Sequence, residues 1–89
     1  MLTNVKNDIR RFLEEDPFYQ ENIHKGFSEE MSLVDAGVMD SIGIFNLIIF
    51  LETHFQIKIE LEELSDSNFL TLNHLENFVS NKIKSSHDL

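Results

Sequence analysis

Cysteine and tryptophan are absent from this 89-residue sequence, which also has one proline and one tyrosine. Without cysteine the chain cannot form disulfides, thiolate metal sites or a cysteine nucleophile. Long apolar runs are missing too: the longest uncharged segment, residues 41–51, is about half the length that a membrane-spanning helix needs. The first residues carry charges throughout, so we expect no signal peptide and a cytoplasmic protein.

Positive charge is also scarce, with 7 basic residues against 16 acidic ones and a net charge of −9. This balance argues against nucleic-acid binding, because little would neutralise phosphates. The imbalance is greatest in residues 35–66, where Lys58 stands alone against seven acidic residues. That stretch is either an ordinary solvated surface or a docking face for a basic partner.

The first part of the chain predicts one helix and a long loop. Apolar residues from Val5 to Leu13 recur at helical spacing, Thr3 is the expected cap, and the residue before Pro17 ends the helix. Residues 17–40 show no sustained period, so we expect a loop with room for one short helical turn. Its expected apolar anchors are Phe18, Ile23, Phe27, Leu33, Val34 and Val38.

The most apolar segment predicts a second helix, from Asp40 or Ser41 to about Phe55. One stripe at helical spacing is expected to face the core, namely Leu47, Ile48, Leu51 and Phe55. Four further apolar residues fall off that stripe: Ile42, Phe45, Ile49 and Phe50. Because a small domain can hardly bury a helix all round, this surplus apolar surface indicates a partner or ligand.

The remaining residues predict a connector and two more helices. "QIKIEL" is expected to be extended, and Ser65, Asp66 or Ser67 to cap a short helical turn that carries Phe69 inward. A last helix after Thr71 has an apolar inner face of Leu72, Leu75, Phe78, Val79 and Ile83. The sequence therefore predicts an all-α protein, a small four-helix bundle of three longer helices and one short helix, with the long loop between the first and second. Residues 1–84 form one domain, expected to be a monomer, and residues 85–89 a frayed tail.

The Asp40-Ser41 pair at the start of the second helix is open to three interpretations. It is a helix cap, a nucleophile, or an attachment point. A serine nucleophile needs a nearby base, yet His54 is nearly four turns along the same helix, and His24, His74 and His87 would have to be delivered by the fold. The histidines also lack metal-binding spacing, so we expect neither catalytic residues nor metal ligands.

Taken together, these segments resemble the acyl carrier proteins. The resemblance is carried by "LVDAGVMDSIGIFNLIIFLETHFQIKIELEEL", which contains the Asp-Ser-aliphatic motif, and by the ending "SNFLTLNHLENFV". It implies that a phosphopantetheinyl transferase, using coenzyme A and magnesium, joins 4′-phosphopantetheine to Ser41. The arm would then carry acyl or aminoacyl groups as thioesters between enzymes of a fatty-acid, polyketide or related specialised pathway, and the domain itself would not be an enzyme.

The resemblance also implies roles for the residues around Ser41. Asp40 would cap the helix and help to engage the transferase, while Ile42, Phe45 and Ile49 would form the apolar part of the docking surface for ligases, acyltransferases and synthases. Asn46 stands where many family members carry glutamate. The acidic residues expected to meet basic patches on partners are Glu52, Glu60, Glu62 and Glu63. Two alternatives stay open: an unmodified adaptor module with the carrier fold, and a peptidyl or aminoacyl carrier of a nonribosomal-peptide type of system.

Overall fold

The described residues contain three α-helices, which correspond to the three longer helices of the predicted four-helix bundle. The computed structural model describes residues 4–37, 40–60, 62–63 and 69–87, with the backbone alone at positions 41, 86 and 87. Helix α1 spans Val5–Glu15, α2 spans Ser41–Phe55 and α3 spans Leu72–His87, and a 3₁₀ turn, Pro17–Tyr19, follows α1. The described residues contain no β-strand. The all-α carrier-type bundle is therefore confirmed.

Helix α1 begins one residue later than the predicted cap implies. Asn4 is the N-cap, and its side-chain oxygen accepts a hydrogen bond from the Asn7 N–H at 3.0 Å. The prediction of Thr3 as the cap is wrong because Asn4 already has the extended backbone and the amide acceptor that the position requires. The helix ends before Pro17 as expected, and the Asp16 carboxylate accepts from the Phe18 N–H at 2.9 Å.

The loop from residue 17 to residue 40 is tied to the bundle at four buried side chains, Tyr19, Ile23, Phe27 and Leu33. Its backbone is also bonded, since the Leu33 N–H donates to the Leu70 carbonyl at 2.8 Å. Two of the predicted anchors are wrong: Phe18 is 44% exposed and Val34 is 52% exposed. Because apolar residues do not recur at a fixed spacing in this loop, the sequence does not indicate which of them point inward. The predicted anchor Val38 lies outside the described residues.

Helix α2 buries the stripe that its sequence predicts. Leu47 and Leu51 have no exposed surface and Phe55 is nearly buried, while Ile48 packs against the core from its edge. The helix ends at Gln56, whose left-handed backbone (φ 58°) is a common way to terminate a helix. Residues 57–60 then form a connector without regular secondary structure and bury Ile57 and Ile59; their extended backbone stays a prediction.

Helix α3 closes the core with Leu72, Leu75, Phe78 and Val79, all buried, and with Ile83 at the edge. Thr71 precedes it, and its hydroxyl oxygen accepts from the His74 N–H at 3.2 Å. Phe69 is buried as expected, but the predicted caps Ser65, Asp66 and Ser67 lie outside the described residues. The helix continues through His87, and the division into a domain of residues 1–84 and a tail of residues 85–89 stays a prediction. None of the helices described here is long and apolar enough to cross a membrane.

Candidate attachment site

The start of α2 is fixed by Asp40, which is the N-cap residue of the helix. The carboxylate of Asp40 accepts a hydrogen bond from the Gly43 N–H at 2.7 Å, and its backbone carbonyl accepts from the Ile44 N–H at 2.8 Å. Ser41 is the first helical residue. Its position therefore lies at the helix end where amide groups lack intrahelical acceptors and the helix dipole is positive.

A second side chain that the sequence analysis missed also holds this turn. The Tyr19 hydroxyl donates to the Gly43 carbonyl at 2.6 Å, and the Asn46 side-chain amide lies 3.5 Å from the same hydroxyl. Burial raises the pKa of Tyr19 to about 12, against an opposing effect of the Asn46 hydrogen bond. The hydroxyl is therefore a proton donor throughout the neutral range. The sequence does hold one indication of this contact: the chain has a single tyrosine, and a buried tyrosine usually forms a hydrogen bond through its hydroxyl.

Three of the four apolar residues predicted to lie off the core stripe form one exposed face. Ile42, Phe45 and Ile49 are 67%, 64% and 48% exposed, and we call them the apolar ridge of α2. The fourth, Phe50, turns towards α1, where its ring stacks on Phe12 with centroids 4.1 Å apart and planes 7° apart. The ridge begins at the residue directly after Ser41.

The predicted acidic docking residues differ in exposure, since Glu52 and Glu63 are half-buried. Glu52 and Glu63 are bonded within the chain: the Glu52 carboxylate accepts from the Ile59 N–H at 2.9 Å, and the Glu63 carboxylate pairs with Lys82 at 2.8 Å. The hydrogen bond from Lys82 is the main reason why the pKa of Glu63 lies below its ordinary value. Glu60 and Glu62 are exposed. The structure thus brings the apolar ridge together, and it bonds Glu52 and Glu63 within the chain.

Comparison with known proteins decides the family. A D-alanyl carrier protein of Streptococcus mutans is 31% identical over 70 residues, which cover 79% of this chain and 84% of that protein. The D-alanyl carrier proteins of Streptococcus suis and Streptococcus sanguinis are 34% and 31% identical over 70 residues, with the same coverage. The chain belongs to the acyl carrier protein family. It is a carrier of the acyl or aminoacyl type. No protein-family model matches it, and no solved structure matches it significantly.

Two of the histidines, His54 and His74, make contacts within the chain. The His54 ring lies at the far end of α2, 3.1 Å from the Asp8 carboxylate, and stacks on Phe50 with centroids 4.9 Å apart. The His74 ring nitrogen is 2.7 Å from the Thr71 hydroxyl at the start of α3. Within the described part of the chain, no group of three or more histidine, aspartate or glutamate side chains is arranged to hold a metal ion.

Proposed function

We propose that the carrier holds an aminoacyl group as a thioester on a 4′-phosphopantetheine arm attached to Ser41. The observation that carries this proposal is the position of Ser41, directly after the Asp40 cap and at the first residue of α2, in a chain related to D-alanyl carrier proteins. When bound, the arm supplies the thiol that the cysteine-free chain lacks. The protein supplies the placement of that thiol and no catalytic group.

The start of α2 suits a phosphodiester. The first bond within the helix runs from the Ile44 N–H to the Asp40 carbonyl, so the amides of positions 41 and 42 precede the regular pattern. Unpaired amides and the positive end of the helix dipole favour an anion at this place. The Asp40 carboxylate accepts a hydrogen bond from the Gly43 N–H, so its negative charge is held against the first turn of the helix.

The relatives support an aminoacyl cargo over the long acyl chains of fatty-acid or polyketide pathways. They are named for a D-alanyl group, and we propose D-alanine or a similarly small amino acid for this chain. A cargo of that size needs no internal cavity.

The partners of the carrier would be the enzymes that attach, charge and discharge the arm. A phosphopantetheinyl transferase with coenzyme A and magnesium would attach the arm, an aminoacyl-loading ligase would charge it, and an acceptor enzyme would discharge it. The apolar ridge of Ile42, Phe45 and Ile49 offers these enzymes an apolar contact, and the exposed Glu60 and Glu62 offer negative charge for basic patches. Glu52, near the far end of α2, and Glu63 would add further negative charge for partners while bonded within the chain.

The arm is tested by intact mass after incubation with coenzyme A, magnesium and a broad-specificity phosphopantetheinyl transferase. We expect the parent chain to gain one phosphopantetheine and the Ser41→Ala variant to gain none. Ser28→Ala is the control, because Ser28 is an exposed serine of the loop that lies outside the Asp40-Ser41 pair. No gain on the folded parent, with the transferase active on another carrier, would contradict the proposal and favour the adaptor alternative.

The cargo is tested on the arm-bearing protein with ATP and a D-alanine-activating ligase from a streptococcal relative's system. We expect a further gain of one alanyl residue, removed by hydroxylamine because a thioester is cleaved by that nucleophile. Ser41→Ala, which lacks the arm, should gain nothing. Charging by a fatty-acyl ligase, and failure with every amino acid offered, would contradict the aminoacyl cargo while leaving the arm in place.

A further inference from the structure

The contact between Tyr19 and Gly43 joins two distant parts of the chain next to the attachment site. Tyr19 ends the 3₁₀ turn that follows α1, and Gly43 lies in the first turn of α2, two residues after Ser41. The bond between them is short, 2.6 Å, and buried. It therefore couples the end of α1 to the turn that contains Ser41.

The tyrosine ring is held independently of its hydroxyl. Its edge-on contacts with Phe12 and Phe18 have centroid distances of 5.6 and 5.1 Å, and the residue is 2% exposed. A phenylalanine would keep these ring contacts, so ring packing alone does not call for a hydroxyl. The ring's contacts instead fix the direction in which the hydroxyl points.

The target of the hydroxyl is a helix backbone atom rather than a side chain. Gly43 is buried and has no Cβ, which allows a neighbouring group to approach its backbone closely. The Asp40 carboxylate bonds the N–H of Gly43 while Tyr19 bonds its carbonyl. The peptide groups on both sides of this residue are thus fixed by side chains from two different segments.

We propose that Tyr19 is a positioning residue for arm attachment: its hydroxyl fixes the first turn of α2, so that Ser41 is presented to the transferase in one backbone orientation. This inference rests on the proposed function, in which Ser41 is the attachment residue. A turn that is already ordered loses less conformational freedom when the transferase binds it, and attachment is faster for that reason. The Asn46 amide, 3.5 Å from the hydroxyl, helps to keep the same arrangement.

The test compares Tyr19→Phe with Asp8→Ala. Both variants remove one polar link between the first part of the chain and α2, but Asp8 contacts His54 at the opposite end of the helix. For each we would measure denaturant unfolding, the kcat and KM of arm attachment under conditions where the protein is fully folded, and amide hydrogen exchange. We expect Tyr19→Phe to lower kcat/KM by about fivefold to tenfold, the equivalent of one buried hydrogen bond.

Hydrogen exchange separates positioning from general stability. In Tyr19→Phe the amides of Gly43 and Ile44 should exchange faster while that of Val79, in the middle of α3, keeps its protection relative to global unfolding. Asp8→Ala should lose stability without changing either the attachment rate or the exchange of the first turn. Equal attachment rates for the parent and Tyr19→Phe, or an equal fall in Asp8→Ala, would overturn the inference while the proposed function stands. Failure of the parent chain to accept the arm at all would overturn both.

Discussion

The two ends of helix α2 are held in different ways. At its start, the Asp40 carboxylate accepts from the Gly43 N–H and the Tyr19 hydroxyl donates to the Gly43 carbonyl, which fixes the backbone of this residue. At its far end, the Phe50 ring is stacked between Phe12 and His54. Hydrogen bonds fix a helix at particular backbone atoms, whereas ring stacking fixes it through the contact area of its side chains.

This difference fits the work that each end would do in a carrier. The far end is held further by the Glu52 carboxylate, which accepts from the Ile59 N–H, and by the buried Phe55. Next to Ser41, by contrast, Ile42 and Phe45 stay about two-thirds exposed. We therefore assign folding stability mainly to the far end of α2 and partner recognition to its start. Each assignment can be tested separately.

The largest expected effect is on stability, from Phe50→Ala. The change removes two ring stacks and leaves a gap between α1 and α2, so we expect the free energy of unfolding to fall by about 3 kcal/mol. Arm attachment to the folded fraction should stay within about twofold, because the change lies far from Ser41. Phe45→Ala is the matched control: the same substitution at an exposed position should cost no more than about 0.5 kcal/mol. Equal losses in denaturant unfolding for the two variants would contradict the comparison.

The next effect is expected at the cap. Asp40→Ala removes the acceptor for the Gly43 N–H and should lower the free energy of unfolding by about 1 kcal/mol. Asp40→Asn keeps an oxygen at this position and should leave stability nearly unchanged, yet slow arm attachment by about tenfold if the transferase reads the charge. Asp35→Asn, an exposed acidic residue in the preceding loop, serves as control for net charge. Attachment to Asp40→Asn at the parental rate would limit Asp40 to its capping role.

A smaller effect is expected from alkaline pH. Burial holds the pKa of Tyr19 at about 12 in the folded protein, against 10.0 for an ordinary tyrosine. Since the folded state binds this proton more tightly, its stabilising contribution is complete below about pH 10 and is lost as the pH rises towards 12. Tyrosine absorbance reports the titration directly, because the chain has one tyrosine and no tryptophan. A phenolate that forms near pH 10 in the folded chain would show that the hydroxyl is solvated, and Tyr19→Phe should remove this part of the pH dependence.

The smallest effect on stability is expected on the apolar ridge. Ile49→Ser should change the free energy of unfolding by less than about 0.5 kcal/mol, because Ile49 is nearly half exposed. The same variant should raise the KM of the charging ligase by about tenfold if the ridge is the docking surface. Val34→Ser is the matched control, an exposed aliphatic residue of the loop that is not part of the ridge. A ligase that treats both variants like the parent would remove the ridge from the docking surface.

Helix α2 and its two faces could be predicted because helical spacing is a local property of the sequence. The buried stripe of Leu47, Leu51 and Phe55 and the exposed ridge both follow from the 3.6-residue period. The cap at Asp40 follows from residue type and from the apolar run behind it. The carrier family could be recognised for the same reason, since its motif lies within one continuous segment.

The contacts that sequence reasoning missed are long-range. Tyr19 and Gly43 are 24 positions apart, and nothing local marks them as partners. The fold also brings Lys82 of α3 to Glu63, 19 positions earlier in the chain, while the docking role of Glu63 stays a prediction. Phe18 was expected inside, but the short turn after α1 directs the neighbouring Tyr19 inward and leaves Phe18 partly exposed. Such pairings depend on how helices and loop pack together, which residue spacing does not encode.

The most direct test of the account is fragmentation mass spectrometry of the protein isolated at mildly acidic pH, where thioesters survive, from the cells that encode it. We expect a phosphopantetheine arm on Ser41, located by fragment ions that break the chain on both sides of this residue, between it and Asp40 and between it and Ile42. In part of the molecules the arm should also carry an additional mass the size of an alanyl group. An unmodified Ser41 in cells whose other carriers bear the arm, or an arm on any other serine, would contradict it.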